Sequence, residues 1–470
     1  MRITIVGAGF TGGTLATLLA SENDKTTEVC LVGVEETFAR GVAYGETRPE
    51  HVLNVRAAHL GANPDNPGEF ADWLNLGKQG REGFLPRLAY GEYLSDRLQK
   101  AKDNASNLTL LRQEAIAINR LGNGFRVHLD DGSYFASDQV VLALGALPPQ
   151  RLIGIGPRLA RHPRYIAWPW QDDALNQIDS DARVLIIGTG LTMADVAASL
   201  VRRSHRGELV AISRHGLLPR SHAPAPGAPI ELPPNVHQAL RKPDVRQLVA
   251  AIRSLSHVVP DWRGAIDALR PHTQAFWRGL PAMERARFLR HVRSYWEVAR
   301  HRVAPEVADL LSGLQASGQL KVRAARLLRA GLRANSAEAL IRERGKEQVQ
   351  VEQYDYVIRA TGLDTDILRT THPLASQLRE AGLISADEHG LGINASDDFE
   401  ALDQHGDRTP GLYCIGPLLR GHLWEITAVP ELRTAAKALS QRLRSTDSTT
   451  ANTRAQTRSL ERELVLSKGF

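Results

Sequence analysis

Two short glycine turns constrain the fold of this 470-residue chain more than any other feature. In such a turn the first glycine permits a tight bend, the second lets the backbone approach a pyrophosphate, and the third lets helix and strand pack closely. The following helix directs its free N–H groups at the phosphates. The chain therefore has the pattern of a protein that binds two dinucleotides, one held tightly and one exchangeable, and moves electrons between them. The turn glycines are Gly7, Gly9 and Gly12 in the first turn and Gly188 and Gly190 in the second.

The strand-like run Glu28–Val32 comes after the first turn and its helix. An acidic residue at the end of this strand normally binds the ribose hydroxyls of a dinucleotide. Gly33 stands at that position, and the carboxylates come slightly later, at Glu35 and Glu36. We take Glu35 as the candidate ribose ligand, with a solvated loop charge as the alternative.

Each glycine turn has a closing motif, an apolar strand that ends in glycine well over a hundred residues later: Val140–Gly145 and Tyr356–Gly362. A third such strand ends at Gly416, and a helix is expected to begin near Pro430. This order predicts an α/β fold with two Rossmann-like dinucleotide-binding domains, the second inserted in the first and carrying a helical insertion. The expected segments are a first domain over 1–155, a second domain over 156–365, a return to the first domain over 366–444, and a polar, flexible tail over 445–470.

Composition excludes several other classes of protein. The hydrophobic fraction of 43% is ordinary for a globular chain, and no apolar run approaches the roughly 20 residues that span a bilayer. The chain enters a strand at once, without a signal-like segment, so we expect a cytoplasmic protein. The two cysteines, Cys30 and Cys414, form no Cys-x-x-Cys pair, which disfavours a flavin disulfide reductase. No cysteine or histidine spacing indicates a metal site.

The segment 230–310 has no place in a minimal scaffold of two dinucleotide domains. Its apolar residues recur at helical spacing, and residues 281–302 hold six arginines against Glu284 and Glu297. A solvated, ion-paired face is one interpretation, and a docking surface for an acidic substrate or for nicotinamide phosphates is the other. Nucleic acid is disfavoured because aromatic residues make up only 6% of the chain and no RNA-reading motif is present. The apolar positions expected to form one helix face are Phe288, Val292, Tyr295, Ala299 and Val303.

The strand after the second turn indicates which nicotinamide cofactor is bound. This strand ends at Ser213 and is followed by Arg214 and His215 instead of an acid. A cation there can pair with a 2′-phosphate, which an acid would repel. Arg214, with Arg220 as a second contact, therefore favours NADPH over NADH, and exposed loop arginines are the alternative.

Several longer motifs resemble those of a known family. The chain is similar to the FAD/NAD(P)-binding flavoproteins that include bacterial members described as urate-hydroxylase-like or amine-oxidising, and more distantly to the class B and N-hydroxylating flavin monooxygenases. This resemblance implies the fold and FAD as the tightly bound cofactor, whereas the substrate does not carry over. Two positions depart from the usual pattern: Gly33 replaces the ribose-binding acid, and Met193 replaces a small residue in the second turn. The matching stretches are Gly41–Gly45, His51–Val55, Asp65–Pro67, Phe70–Leu74, Gly188–Met193, Ser213–Arg220 and Trp424–Arg433.

The expected function is an FAD-dependent, NADPH-driven oxidoreductase, a monooxygenase that acts on a small polar amine or heterocycle with molecular oxygen, through an oxygenated flavin. An NAD(P)H-flavin oxidoreductase that makes no oxygenated product is the alternative. A third hypothesis is a flavin-binding interaction protein that uses its basic helices to bind a macromolecule. Asn54, His422 and Glu425 are the candidate catalytic residues, because all three are expected to line the flavin. His422 can hydrogen-bond flavin or substrate, and Glu425 can act as a base or bind a substrate amine, with a core or capping role as the alternative for either. The predicted cofactor contacts are Gly7, Gly9, Phe10, Thr11, Gly12, Glu35, Gly145, Gly188, Gly190, Leu191, Thr192, Arg214, Arg220, Thr361, Gly362, Gly416 and Pro417.

Overall fold

The computed structural model describes residues 1–22, 24, 26–34, 38–45, 47–145, 147–171 and 173–445. Its strands are β1 Arg2–Val6, β2 Glu28–Gly33, β3 Leu108–Arg112, β4 Ala115–Leu121, β5 Gly124–Leu129, β6 Tyr134–Ser137, β7 Gln139–Leu142, β8 Tyr165–Ile166, β9 Val184–Ile187, β10 Leu209–Ser213, β11 Leu320–Arg333, β12 Ser336–Glu343, β13 Val349–Tyr354, β14 Tyr356–Arg359, β15 Glu400–Leu402 and β16 Arg408–Cys414. Its helices are α1 Phe10–Leu19, α2 Gly41–Gly45, α3 Glu69–Trp73, α4 Lys78–Arg81, α5 Arg87–Asn104, α6 Pro157–Ala160, α7 Leu191–Arg202, α8 Pro234–Leu240, α9 Val245–Val258, α10 Trp262–Leu269, α11 Thr273–Gly279, α12 Ala282–His291, α13 Arg293–Arg300, α14 Pro305–Ala316 and α15 Pro373–Glu380, with a last helical stretch over 429–445.

The first sheet has six strands in the order β15-β16-β7-β1-β2-β3. All of its neighbours pair in parallel except β15 and β16. Continuous apolar runs such as Ile3–Val6 form its central strands because both faces are buried, by helices on one side and by the small β4-β5-β6 sheet on the other. Its core comes from two separate parts of the chain, residues 3–147 and 367–443.

The second sheet has seven strands in the order β13-β12-β11-β10-β9-β14-β8. The strands from β11 to β8 pair in parallel, and β11, β12 and β13 form an antiparallel meander at one edge. The cores on its two faces come from residues 155–360. The chain is therefore a mixed α/β protein with two largely parallel sheets, as the sequence predicted.

The two glycine turns lie at the carboxyl ends of the central strands β1 and β9. Gly7 has φ +109°, and a Cβ there would lie 2.2 Å from the carbonyl oxygen of Ala143. Gly188 has φ +121°, and a Cβ there would lie 2.1 Å from the carbonyl oxygen of Ala360. Each turn is thus pressed against the strand that closes its unit, and only glycine fits in either place.

The insertion forms six helices, α8 to α13, instead of one amphipathic face. The helix breaks at Val292, where α12 ends and α13 begins, so the apolar phase changes at this residue. The expectation for Tyr295 was therefore wrong: its side chain is 50% exposed, and Trp296 packs inward in its place. Phe288 and Val292 pack, as expected, against a cluster of buried apolar residues that includes Trp277 and Trp424.

The two sheets are joined by buried polar contacts from the first domain to α7. Arg87 at the start of α5 forms an ion pair of 3.0 Å with the buried Asp195. His51 Nε2 lies 2.9 Å from Ser199 Oγ. Among the described helices, none is both long and apolar enough to span a bilayer.

Candidate cofactor and active site

The first glycine turn presents free backbone donors at the start of α1. Gly9 is the N-cap residue of this helix and no side chain caps it, so its first N–H groups have no intrahelical acceptor. Gly12 has no space for a side chain, because a Cβ would lie 1.9 Å from the carbonyl oxygen of Gly7. The Phe10 side chain is buried against Tyr44 and Tyr90, with its ring centroid 6.3 and 6.4 Å from theirs.

The predicted cofactor residues at the ends of β1 and β16 lie together. A Cβ on Gly416, which has φ +100°, would lie 3.4 Å from Thr11 Oγ1. Pro417 follows and opens a short 3-10 helix. These residues are about 400 positions apart in sequence, so the fold brings the first turn and the last strand to one place. Gly145, with φ +67°, faces open space at the end of β7.

Close packing explains why Gly33 replaces the expected ribose-binding acid. A Cβ at Gly33 would lie 2.3 Å from the Cβ of Ala8, inside the first turn. The end of β2 therefore cannot carry a side chain without displacing that turn. The candidate ligand Glu35, and its neighbour Glu36, lie outside the described residues.

The second glycine turn is open at its second glycine. A Cβ on Gly190 would meet nothing within 4 Å, and Gly190 is the uncapped N-cap residue of α7. Leu191 and Thr192 begin the helix at partly exposed positions. Gly362 likewise faces open space, with Thr361 exposed beside it.

Met193, the other departure from the usual pattern, is completely buried in the core of the second sheet. Its side chain fills the space behind the turn on the core side. Thr189 holds the turn from the other side, since its hydroxyl donates to the Leu217 carbonyl over 2.6 Å.

A basic cleft of about 410 Å³ lies beside the end of β10. Arg214, a predicted cofactor contact, lines this cleft together with residues of α12 and of the β11–β12 hairpin. The one carboxylate at its edge, Glu343, is paired with Arg323 and Lys346. Arg220 is exposed and is absent from the lining; its backbone pairs with Val298 and Val303. We define the basic cleft by its cationic residues, Arg214, Arg290, Arg326, Arg342, Arg344 and Lys346, with His215 between them.

Glu425, a catalytic candidate, is 2% exposed and faces the insertion. One carboxylate oxygen accepts a hydrogen bond of 2.7 Å from Trp296 Nε1, and the other lies 3.2 Å from Arg300 Nε and 3.5 Å from His301 Nε2. Burial alone would raise the pKa of Glu425, but the hydrogen bond and charge of His301, with Arg300, hold it at about 2. The Glu425 carboxylate is therefore ionised, and its two oxygens face Trp296, Arg300 and His301.

His301 joins Glu425 to a second buried carboxylate. Its Nδ1 lies 2.5 Å from Glu297, which also pairs with Arg293 and Arg420. Burial would lower the pKa of His301, yet Glu297 and Glu425 raise it to about 9. Glu425, His301 and Glu297, with Arg300, Arg293 and Arg420 around them, therefore form one buried charge network, which we call the α13 network.

The other two catalytic candidates have different surroundings. His422 Nε2 lies 3.1 Å from Asp397, which also pairs with Arg278 of α11, and burial lowers the pKa of this histidine. Asn54 is partly exposed, and its carbonyl lies 3.0 Å from His222 Nε2. Its side-chain amide has no hydrogen-bond partner among the described residues. Asn54 is thus the candidate with a free functional group.

Trp424 lies in the segment 366–444 that returns to the first domain, and its side chain packs against the insertion. Its ring stacks on Trp277 at 4.6 Å, and Phe288 meets it edge-on at 5.2 Å. The Arg420 guanidinium lies 4.4 Å from its ring centroid. The insertion is therefore docked on residues 417–431, next to the turn at Gly416.

Sequence reasoning did not single out His301 or Arg300 as partners of Glu425. These contacts join residues about 125 positions apart, and no local pattern reveals them. The signal available was a cluster of arginines broken by Glu297, which predicted ion pairs but not their partners. Arg326, Arg342 and Arg344 were also missed: Arg326 lies on β11, Arg342 on β12 and Arg344 directly after β12, and no local pattern brings these residues to Arg214.

Comparison with known proteins agrees with this architecture. Residues 4–147 match the protein-family model described as FAD-NAD(P)-binding. No curated protein matches the chain.

Solved structures match nearly the whole chain. L-lysine 6-monooxygenase from Pseudomonas syringae has a TM-score of 0.63 at 17% identity, covering 94% of this chain and 99% of its own. The ornithine N-hydroxylase of Kutzneria sp. 744, in a structure with reduced FAD, NADP+ and L-ornithine, has a TM-score of 0.61 at 17% identity and the same coverage. Bacillithiol disulfide reductase from Staphylococcus aureus has a TM-score of 0.58 at 11% identity, covering 95% and 98%. The chain therefore contains an FAD-NAD(P)-binding domain at residues 4–147 and has the two-domain fold of these flavoproteins.

Proposed function

We propose that this protein is an FAD-dependent, NADPH-driven monooxygenase that acts on a small polar substrate, an amine or a heterocycle, with molecular oxygen. The observation that carries the proposal is the pair of glycine turns at the carboxyl ends of β1 and β9, each opening an uncapped helix. Parallel sheets bind their ligands at this edge. The amine preference is supported by the fold shared with the lysine and ornithine hydroxylases.

The first turn and its neighbours fit FAD. The backbone N–H groups of Phe10 and Thr11 point from a helix start where phosphates bind, and Gly9 leaves the backbone accessible. Gly145 and Gly416 leave space at the ends of the two adjacent strands. We propose that residues 1–155 and 366–444 form the FAD-binding domain, in line with the shared core of residues 3–147 and 367–443.

The second turn fits NADPH. Gly190, Leu191 and Thr192 form the uncapped start of α7, the kind of helix end that binds a pyrophosphate. Arg214 follows β10, the strand whose end binds the adenosine ribose in such folds. We propose residues 156–365 as the NADPH-binding domain, with the insertion inside it. When both cofactors are bound, NADPH supplies a hydride to the flavin and the reduced flavin reacts with oxygen.

The chain's own residues position and enclose this chemistry. Asn54 has a free amide that can donate to flavin or substrate. Trp424 and Ile426 are buried and keep water from the return segment. We propose that Glu425 and His422 hold this segment in place, because Glu425 accepts a hydrogen bond from Trp296 of α13 and His422 Nε2 lies 3.1 Å from Asp397.

Coupling of NADPH consumption to product tests the proposal. The FAD-loaded protein is supplied with NADPH, oxygen and a panel of primary amines and nitrogen heterocycles, and NADPH, hydrogen peroxide and hydroxylated product are measured. A substrate that suppresses peroxide and yields product in step with NADPH supports the monooxygenase. Equimolar peroxide with every compound in a broad panel would favour the NAD(P)H-flavin oxidoreductase instead. No NADPH oxidation would contradict both and leave a flavin-binding interaction protein.

A further inference from the structure

We propose that the helical insertion forms the second wall of the site for the adenosine 2′-phosphate end of NADPH, through Arg290 and Tyr295, and thereby selects NADPH over NADH. This inference rests on the proposed function, since it assigns a role to the insertion at the NADPH site. The turn at Gly188 and the end of β10 are enough for a general dinucleotide site. The insertion would add the contacts that select NADPH.

Arg290 differs from the other arginines of its segment. Within the described residues, Arg287, Arg293, Arg300 and Arg302 each pair with a carboxylate, and Arg285 donates to backbone carbonyls. Arg290 makes no such contact; it is exposed and lines the basic cleft. Ion pairs or backbone hydrogen bonds within the protein therefore account for each of these arginines except Arg290.

The basic cleft concentrates like charges from three elements. Arg214 follows β10, Arg342 lies on β12, and Arg290 comes from α12. Among the described residues, none of these three has a carboxylate partner. Holding several guanidinium groups around one cavity is unfavourable unless an anion is bound between them, and a phosphate monoester accepts several charge-assisted hydrogen bonds at once. The position beside the end of β10 is that of the ribose 2′ substituent.

Tyr295 adds an aromatic surface at the edge of the same cleft. Its ring is half-exposed and lies 5.5 Å from that of His215, which lines the cavity. An exposed aromatic pair beside a phosphate site is suited to the face of an adenine base. The opposite side of α13 is fixed by Trp296 and Arg300, which both bind Glu425, so Tyr295 is presented from a rigid helix.

Binding of 2′,5′-ADP, compared with 5′-ADP, tests the inference on the FAD-loaded full-length protein by titration calorimetry. Arg290→Ala is expected to weaken 2′,5′-ADP by about tenfold or more and to leave 5′-ADP unchanged, because only the former carries the 2′-phosphate. Tyr295→Leu is expected to weaken both probes alike. Arg253→Ala, which removes an exposed arginine from α9, is the matched control and should bind like the unmodified protein. Unchanged binding of 2′,5′-ADP to Arg290→Ala would overturn the inference, and so would equal weakening of both probes.

Anaerobic flavin reduction by NADPH and by NADH separates this inference from the proposed function. Arg290→Ala should lower the ratio of the two reduction efficiencies by about tenfold or more through the KM for NADPH. If the unmodified protein is reduced by NADPH and Arg290→Ala keeps the same ratio, the inference fails while the proposed function stands. If neither nucleotide reduces the unmodified protein, the proposed function fails, and with it the NADPH assignment of the cleft.

Discussion

At the residue scale, the glycines of the two turns divide into those required by the fold and those that leave room for a ligand. A Cβ would lie within 2.3 Å of a neighbouring atom at Gly7, Gly12 and Gly188 of the turns, and also at Gly33 at the end of β2. Gly190 has open space and a φ of −89°, which any residue can adopt. The fold therefore explains the first group, and ligand access explains Gly190.

Alanine at these two kinds of position should affect different properties: NADPH binding at the open position and stability at the crowded one. Gly190→Ala is expected to keep the thermal stability and FAD content of the protein but to weaken NADPH binding, because the new methyl group occupies the approach to the pyrophosphate. Gly188→Ala should destabilise the protein by about 1–3 kcal/mol or more through its clash with Ala360 and its positive φ. Thermal melting and calorimetric titration with NADPH measure both effects. Gly313→Ala, in the exposed face of α14, is the control and should be neutral or slightly stabilising. Unchanged NADPH affinity in Gly190→Ala would contradict the assignment of the second turn.

At the element scale, α13 links the insertion to the return segment through ionised groups. Glu425 has φ +73°, an unfavourable backbone conformation for a non-glycine residue, and its contacts with Trp296, Arg300 and His301 hold it there. Removing one member of such a buried network leaves its partners without compensation.

The α13 network predicts a specific loss of stability at alkaline pH. The pKa of His301 is raised to about 9 from an unperturbed value near 6.5, so its contribution is complete below about 6.5 and is lost as the pH rises through about 9. Thermal melting between pH 7 and 10 should show this decline. In Glu297→Gln the pKa of His301 falls, so the decline should move to lower pH. Identical pH profiles for the two proteins would show that His301 is not protonated by this network.

Some elements could be predicted from the sequence and others could not, for physical reasons. Strands β1, β2, β9, β14 and β16 were predicted because they are buried on both faces and read as short apolar runs. Arg214 was predicted at the end of β10, which has a fixed place in such sheets, and it lines a cleft there. Its contact with a nucleotide stays a prediction. The β11–β13 meander gave no such signal, since buried and exposed residues mix along it.

The surroundings of Glu425 and His422 depend on contacts between distant parts of the chain. The sequence predicted both near the flavin, either as catalytic groups or in a core or capping role. In the structure Glu425 accepts a hydrogen bond from α13, and His422 lies beside Asp397. Local sequence patterns report burial and periodicity but not which charge meets which. For the same reason the break at Val292 reversed the expected roles of Tyr295 and Trp296.

At the scale of the whole molecule, buried contacts join the parts of the chain that carry the two sheets. Arg87 and Asp195 pair across the boundary at 3.0 Å, and burial raises the pKa of Asp195 although Arg87 opposes the shift. His51 and Ser199 meet close by. Such a pair contributes little net stability but is costly to break from one side.

A double-mutant cycle tests this contact. Asp195→Leu or Arg87→Met alone should destabilise the protein by about 3–5 kcal/mol, because each leaves a buried charge without its partner. The double variant should recover much of that loss, which denaturant unfolding can measure. Additive losses in the double variant would show that the pair does not couple the domains.

We propose that the two glycine turns hold a flavin and a nicotinamide cofactor close enough for hydride transfer. The most direct test is anaerobic titration of the FAD-loaded protein with NADPH, followed by the visible absorbance of the flavin. We expect stoichiometric bleaching of the flavin by NADPH and a weaker response to NADH. A protein that retains bound FAD but shows no bleaching with NADPH would contradict the claim.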